Sequence, residues 1–220
     1  MITGASRGIG LALVKWFSAN HHKVWALSRN TTPITQLNLP NVTVNALDLT
    51  DEDAVAAWSK NEAPDNIDAL INNAGKLVNK PFAETTQSDF EAVFKVNVFG
   101  LANITRALLK KLQPGGHVVN ISSIGGIGGA SKFPGLAAYS SSKGAVSILT
   151  ELLAEELKET GPAVNALALG AVQTEMLSDA FPGLEVPMTA AMMADYIAQF
   201  ALDGHLFYNG KVLPVSKTTP

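Results

Sequence analysis

A chain of 220 residues, 47% hydrophobic and 16% charged, can fill one substantial core and is not a disordered polymer. Its net charge of −3 leaves no basic excess, so a nucleic-acid partner or an anionic membrane surface has no electrostatic footprint. Without cysteine it has neither disulfides nor thiolate metal sites, and no apolar run approaches the ~18 residues of a membrane span.

The chain opens on Met1-Ile2 and passes at once into Thr3-Gly4-Ala5-Ser6-Arg7-Gly8-Ile9-Gly10. Ile9, Leu13, Trp16 and Phe17 then share one helical face, so a glycine-rich turn opens a helix. Glycines suit a place where backbone approaches a ligand, and the free amides of a helix start suit a phosphate. The spacing is Gly-x-x-x-Gly-x-Gly, and an ordinary glycine-rich turn is the alternative. Residues 23–27 read as a short buried strand ending at Ser28-Arg29. An acid there would hold the ribose hydroxyls of a dinucleotide, and this chain has none. Residues 30–40 are too broken for a full helix, and 42–46 form another strand. Asp48-Leu49-Thr50 leads into a helix over 51–60, with Thr50 as N-cap and Asp53 three residues on. Asp48 by itself reads equally well as a turn residue.

A strand at 69–71 runs into Asn72-Asn73-Ala74-Gly75. Residues 88–112 carry Phe90, Val93, Phe94, Val98, Leu101 and Ile104 at helical spacing, with Asn97, a poor helix former, in the middle. Asn97 is either a satisfied buried amide or a residue kept for its polar group. Gly115-Gly116 ends that helix, and a strand over 117–121 aims at Ser122-Ser123. Residues 137–159 are helical, 163–169 a further strand, followed by Gly170-Ala171-Val172-Gln173-Thr174. Residues 175–188 show little periodicity; a short helix over 189–201 and a strand within 206–215 close the chain. No basic region followed by an apolar core opens it, so the expectation is a soluble cytoplasmic protein. His21, His22, His117 and His205 lack metal-ligand spacing, and no metal is expected; the first two read as a helix C-terminus.

Strands alternate with helices throughout, which is the pattern of a parallel sheet covered on both faces in one domain over 1–220. Tyr139 and Lys143 stand one helical turn apart on one face. An ammonium close to a phenol favours the phenolate, so the tyrosine is expected to fall from about 10 toward neutrality. A phenol so tuned exchanges a proton with a substrate oxygen near physiological pH. The same two residues on a surface helix would do nothing.

Taken together, these motifs resemble those of the classical short-chain dehydrogenase/reductase family over nearly the whole chain. The family's Thr-Gly-x-x-x-Gly-x-Gly loop falls on Thr3 to Gly10, its adenine-contacting aspartate on Asp48, and its Asn-Asn-Ala-Gly signature on Asn72 to Gly75. Its catalytic asparagine, serine, tyrosine and lysine fall on Asn97, Ser123, Tyr139 and Lys143. The resemblance implies a doubly wound Rossmann-type sheet of about seven strands in the order 3-2-1-4-5-6-7. It implies hydride transfer between a nicotinamide cofactor and a small carbonyl or secondary alcohol, with Tyr139 as general acid or base and Ser123 polarising the substrate oxygen. Lys143 would lower the tyrosine pKa and bind the nicotinamide ribose, and Asn97 would hold a water leading from Lys143 to solvent. The cofactor would lie against Gly4, Ser6, Arg7, Gly8, Ile9, Gly10, Arg29, Asp48, Leu49, Asn73, Ala74, Gly75, Tyr139, Lys143, Val172 and Thr174. Basic residues at the places of Arg7 and Arg29 mark NADP-preferring members, so NADP(H) is the expected cofactor; solvated loop arginines are the alternative. A homodimer or homotetramer through the helices at 88–112 and 137–159 is also implied.

The chain departs from the family in its very short first strand, in Leu169-Gly170 where Pro-Gly is usual, in the short stretch 174–189 over the substrate, and in a C-terminus without Asp-Gly-Gly. A cofactor sensor that turns nothing over is the rival from another class, and an intact tetrad argues against it. An epimerase or dehydratase on the same fold would carry a larger C-terminal substrate region.

Overall fold

The computed structural model describes residues 1–217, and the last three residues of the domain expected over 1–220 lie outside the described residues. Seven strands form one parallel sheet in the order β3-β2-β1-β4-β5-β6-β7. They are β1 (Ile2–Thr3), β2 (Val24–Ser28), β3 (Val42–Ala46), β4 (Ile67–Asn72), β5 (Leu112–Ser123), β6 (Ala163–Leu169) and β7 (Val212–Val215). β6, and β5 from Gly116 onward, are almost wholly buried, as strands covered by helices on both faces must be. Among the described residues eight α-helices cover them: α1 (Gly8–Ala19), α2 (Thr32–Thr35), α3 (Glu52–Asn61), α4 (Gln87–Phe94), α5 (Leu101–Leu108), α6 (Ala137–Leu157), α7 (Glu175–Ala180) and α8 (Ala190–Asp203).

The apolar residues sort into two cores, one on each face. Leu13, Val14 and Phe17 of α1 meet Met193, Ile197 and Phe200 of α8 against one face. On the other, Trp58 of α3, Ile104 and Leu108 of α5 and Ala154 of α6 pack on Leu70, Val118 and Val164. No helix among the described residues is long and apolar enough to cross a membrane.

β1 has two residues, yet it lies in the middle of the sheet. Ile2 pairs with Ala26 on one side and Ile71 on the other, and Thr3 pairs with Leu27. Strand order reverses here, and the crevice outside the carboxyl ends of β1 and β4 is where this topology places a ligand.

Four sequence expectations are corrected. The helix expected over 88–112 is not continuous: a π-turn (Lys95–Gly100) separates α4 from α5, and α5 ends at Leu108. The turn carries buried Asn97, whose side chain is bonded outside the helix, and wide turns of this kind recur at functional positions. Leu112 belongs to the sheet, paired with Ile67, while the next register partner of β5 is His117 opposite Ala69. Gly115-Gly116 therefore belongs to a bulge inside β5. Thr50 does not cap α3; Asp51 does, accepting from Ala54 N at 3.0 Å, while Thr50 N and Oγ1 both donate to Asp48 Oδ1 at 2.9 Å. Finally, the stretch without periodicity holds α7, capped by Thr174.

Candidate active site

The glycine loop leaves β1 at Thr3. Thr3 Oγ1 accepts from the backbone N–H groups of Asn73 and Ala74 at 3.0 and 3.1 Å. The Asn73 amide returns the contact, donating to the carbonyls of Thr3 and Gly4 at 3.0 and 3.1 Å. The loop is thus braced from β4 before any ligand arrives. Gly4 has φ +64° and lies so close to Ala74 that a Cβ would stand 2.7 Å from its Cα; a Cβ on Gly10 would stand 2.2 Å from the Gly4 carbonyl oxygen. Side chains are excluded, and the first-turn amides of α1, which have no partner within the helix, open toward the crevice. This cradle fits a phosphate-bearing cofactor.

A continuous cleft of about 380 Å³ runs from this loop along the strand ends, within the size of small-molecule sites. Of the residues expected from sequence, it is lined by Gly4, Ser6, Arg7, Gly8, Ile9, Arg29, Asp48, Leu49, Asn73, Ala74, Gly75, Ser123, Tyr139, Lys143, Val172 and Thr174. Gly10 and Asn97 are not on its surface. Gly10 packs beneath Gly4, and Asn97 is buried behind the wall. Asn97 Oδ1 accepts from Lys76 N at 2.7 Å, and Nδ2 donates to Lys76 O at 3.0 Å and to Ser142 Oγ at 2.9 Å. Ser142 Oγ in turn donates to the Tyr139 carbonyl at 2.7 Å. Asn97 is therefore one hydrogen bond removed from the helical turn that carries the tyrosine.

Asp48 is both a turn residue and a cleft residue. Burial pushes its carboxyl up, but the two hydrogen bonds from Thr50, with Arg29 and Lys95 nearby, outweigh that and hold it below its usual value. Arg29 is exposed at the cleft edge. Arg7 Nη1 stands 3.6 Å from Asp179 Oδ2 of α7, both side chains well exposed.

At the far end, α6 sets Tyr139 and Lys143 one turn apart beneath Ser123. The approach is close: a Cβ on Gly126 would lie 2.6 Å from the Lys143 backbone carbon, so only glycine lets the turn after β5 settle on α6. The Tyr139 hydroxyl has Ser123 as its hydrogen-bond partner, and Lys143 Nζ lies 5.7 Å from the centre of the tyrosine ring. The expected downward shift of the tyrosine is not found. Burial of the phenol pushes it up to about 12, with the Ser123 hydrogen bond working against the rise. Lys143 Nζ donates to the Ile121 carbonyl at 2.7 Å, and burial lowers it to about 8. Desolvation of the phenol thus outweighs the Ser123 hydrogen bond, and the phenol is a protonated acid at neutral pH.

Several cleft residues were not singled out from sequence. Leu27, Leu47 and Ile121 could have been found by asking which residues end each strand, the reasoning that had already marked Ser28. Leu77, Phe133, Leu136, Met176, Leu177, Phe181 and Leu184 come from loops and from α7, and no periodic signal marks them. Among the described residues, no group of three His, Cys, Asp or Glu side chains could hold a metal ion.

The family model for short chain dehydrogenase matches residues 1–185. Carbonyl reductase (NADPH) 2 of Sus scrofa is 34% identical over 182 residues, 80% of this chain and 72% of that protein. Among solved structures, ElxO with NADP bound is 29% identical with a TM-score of 0.81, covering 97% of this chain and 95% of its own. A 4-hydroxyisoleucine dehydrogenase complexed with NADH is 25% identical with a TM-score of 0.85, covering 98% and 96%.

Proposed function

The chain belongs to the short chain dehydrogenase family, and from that premise we propose that it is an NADP(H)-dependent oxidoreductase interconverting a carbonyl and a secondary alcohol, with Tyr139 as general acid and base. The observation that carries the reading is the pairing of the Tyr139 hydroxyl with Ser123 at one end of a cleft whose other end is the glycine cradle. When bound, a reduced nicotinamide would supply the hydride for the carbonyl carbon and be oxidised in turn, and Tyr139 would give its proton to the carbonyl oxygen. A phenol protonated at neutral pH suits that donation. Ser123 is placed to donate to the same substrate oxygen as charge develops on it.

Lys143 keeps a buried positive charge below the tyrosine ring, 5.7 Å from its centre, which opposes the phenolate's desolvation once the proton has left. Asn97, through Ser142, fixes the turn that presents Tyr139. The cradle of Gly4, Gly8 and Gly10 would hold the cofactor phosphates, Asp48 and Leu49 the adenine side, and Val172 and Thr174 the nicotinamide side. Arg7 and Arg29 would meet a 2′-phosphate.

The test is a panel of ketones and secondary alcohols followed at the absorbance of the reduced cofactor, with Tyr139→Phe beside the parent. Tyr139→Phe keeps the ring and deletes the proton, so cofactor affinity should hardly change while turnover falls by about 10²–10⁴-fold. A variant retaining more than about a tenth of parental turnover would remove Tyr139 from the acid's role, since tenfold is only ~1.4 kcal/mol. Cofactor bound with no turnover across the panel would favour the sensor.

A further inference from the structure

We propose that the substrate is an uncharged, predominantly apolar ketone or secondary alcohol, and that carboxylate- or phosphate-bearing compounds are rejected; this rests on the oxidoreductase reading above.

Charge is unevenly placed along the cleft. The charged side chains lining it are Arg7, Arg29, Asp48, Lys143 and Glu175. Arg7, Arg29 and Asp48 lie at the glycine loop and the ends of β2 and β3, the cofactor half. Lys143 is buried and donates to the Ile121 carbonyl. Glu175 is turned toward the glycine loop, its Oε2 3.4 Å from the place a Cβ of Gly8 would occupy. Beyond Ser123 and Tyr139 the lining is apolar: Leu77 after β4, Phe133 and Leu136 before α6, and Met176, Phe181 and Leu184 from α7 and the loop that follows. A carboxylate placed there would lose its water and find no cation, a cost that apolar walls cannot return.

These walls are tied to each other. Asn79 Nδ2 donates to the Ala180 carbonyl at the end of α7 at 2.7 Å, and Lys80 N donates to the Gly135 carbonyl at 3.0 Å. The three apolar segments are thus held as one enclosure beside the catalytic hydroxyls. Such an enclosure favours a hydrocarbon chain over a hydroxylated one, which would leave its own polar groups unpaired.

The experiment compares two ketones of equal length, 2-octanone and 7-oxooctanoate, which differ only in a terminal methyl or carboxylate. With parent enzyme and saturating reduced cofactor, kcat/KM for 2-octanone should exceed that for 7-oxooctanoate by about 30-fold or more. Leu184 is half-exposed at the rim, so Leu184→Lys should fold normally and should shift the ratio about tenfold toward the oxo acid. Displacement of the neutral dye Nile red from the cofactor-loaded protein gives a readout independent of turnover. 2-Octanone should displace it and 7-oxooctanoate should not. Equal or better turnover of the oxo acid in the parent overturns the substrate class while leaving the oxidoreductase reading in place. Selective displacement by 2-octanone without turnover of either ketone keeps the apolar pocket and removes the chemistry. Failure of 2-octanone both to displace the dye and to react overturns the proposal.

Discussion

At the scale of single residues, the instructive case is Tyr139. Its spacing from Lys143 was legible because a helical repeat fixes which residues share a face; its partnership with Ser123, which ends β5, was implied only by the family resemblance. Its pKa was not, because the sign depends on how much water the fold removes and where the ammonium points. Lys143 Nζ is spent on the Ile121 carbonyl, and burial wins. Arg7 and Arg29 pose the same question of surroundings. Both line the cofactor half of the cleft, next to Ser28 where an acid would hold ribose hydroxyls. A 2′-phosphate would suit two guanidinium groups, and contacts of ~1.5–3 kcal/mol each, discounted for solvent, should give at least about tenfold preference for NADPH. Arg7 must first exchange Asp179 for the phosphate, but an exposed pair at 3.6 Å costs little to break. The check is kcat/KM with both cofactors and one substrate, repeated on Arg29→Ala and Ser28→Asp. Arg29→Ala should lower the NADPH preference and Ser28→Asp should reverse it; parity with NADH in the parent would end the assignment.

At the scale of elements, the strands were legible because burial on both faces writes them as short apolar runs, as in β6 (Ala163–Leu169). α7 was not, because it has six residues, none of them buried, and its apolar side chains face the cleft instead of the sheet. The bulge in β5 was also invisible, since Gly115-Gly116 reads as a stop whether the chain ends a helix or kinks a strand. What β5 carries just past that bulge has a thermodynamic consequence. His117 is fully buried, with Nδ1–H donating to the Ala201 carbonyl at 3.2 Å and Nε2 accepting from Asn165 Nδ2 at 3.0 Å. Asn165 cannot turn round to accept, because Nδ2 also donates to Tyr208 O and Oδ1 accepts from Lys211 N. The ring is locked neutral, and burial lowers its pKa from 6.5 to about 4. The unfolded chain therefore binds a proton that the folded chain refuses between those values. Stability from this group is complete above about pH 6.5 and is lost as pH falls toward 4, by roughly 3 kcal/mol in all. Unfolding free energies from denaturant titrations at pH 7 and pH 4 should diverge by about that much more in the parent than in His117→Gln. Parallel pH profiles would show that the histidine does not titrate in this window.

At the scale of the whole molecule, the sheet order was legible from the alternation of elements together with the family resemblance, and the site follows from it. β1 sits where the order reverses, so loops from both halves converge on one crevice. Association with another copy is a different matter, because it depends on which apolar side chains the sheet leaves uncovered. The apolar residues Val146, Leu149, Leu152 and Leu153 of α6 are not equally available to a second copy. Val146 is fully buried, while Leu149 and Leu153 are partly covered. Ile148 and Leu152, one turn apart on α6, are 58% and 56% exposed, and Phe99 on the adjoining π-turn is 58% exposed. Large apolar side chains grouped on long helices are the usual anchors of a self-complementary interface, which a twofold pairing would cover. The expected particle at micromolar concentration is therefore at least twice the 23.1 kDa of one chain. Replacing Ile148 and Leu152 together by Asp should reduce it to one chain without unfolding it, since neither side chain is needed in the core. Light scattering that gives a 23 kDa parent would remove the oligomer altogether. A parent oligomer that survives the double replacement would move the contact to another face, where Leu206 and Phe207 are the most exposed apolar pair.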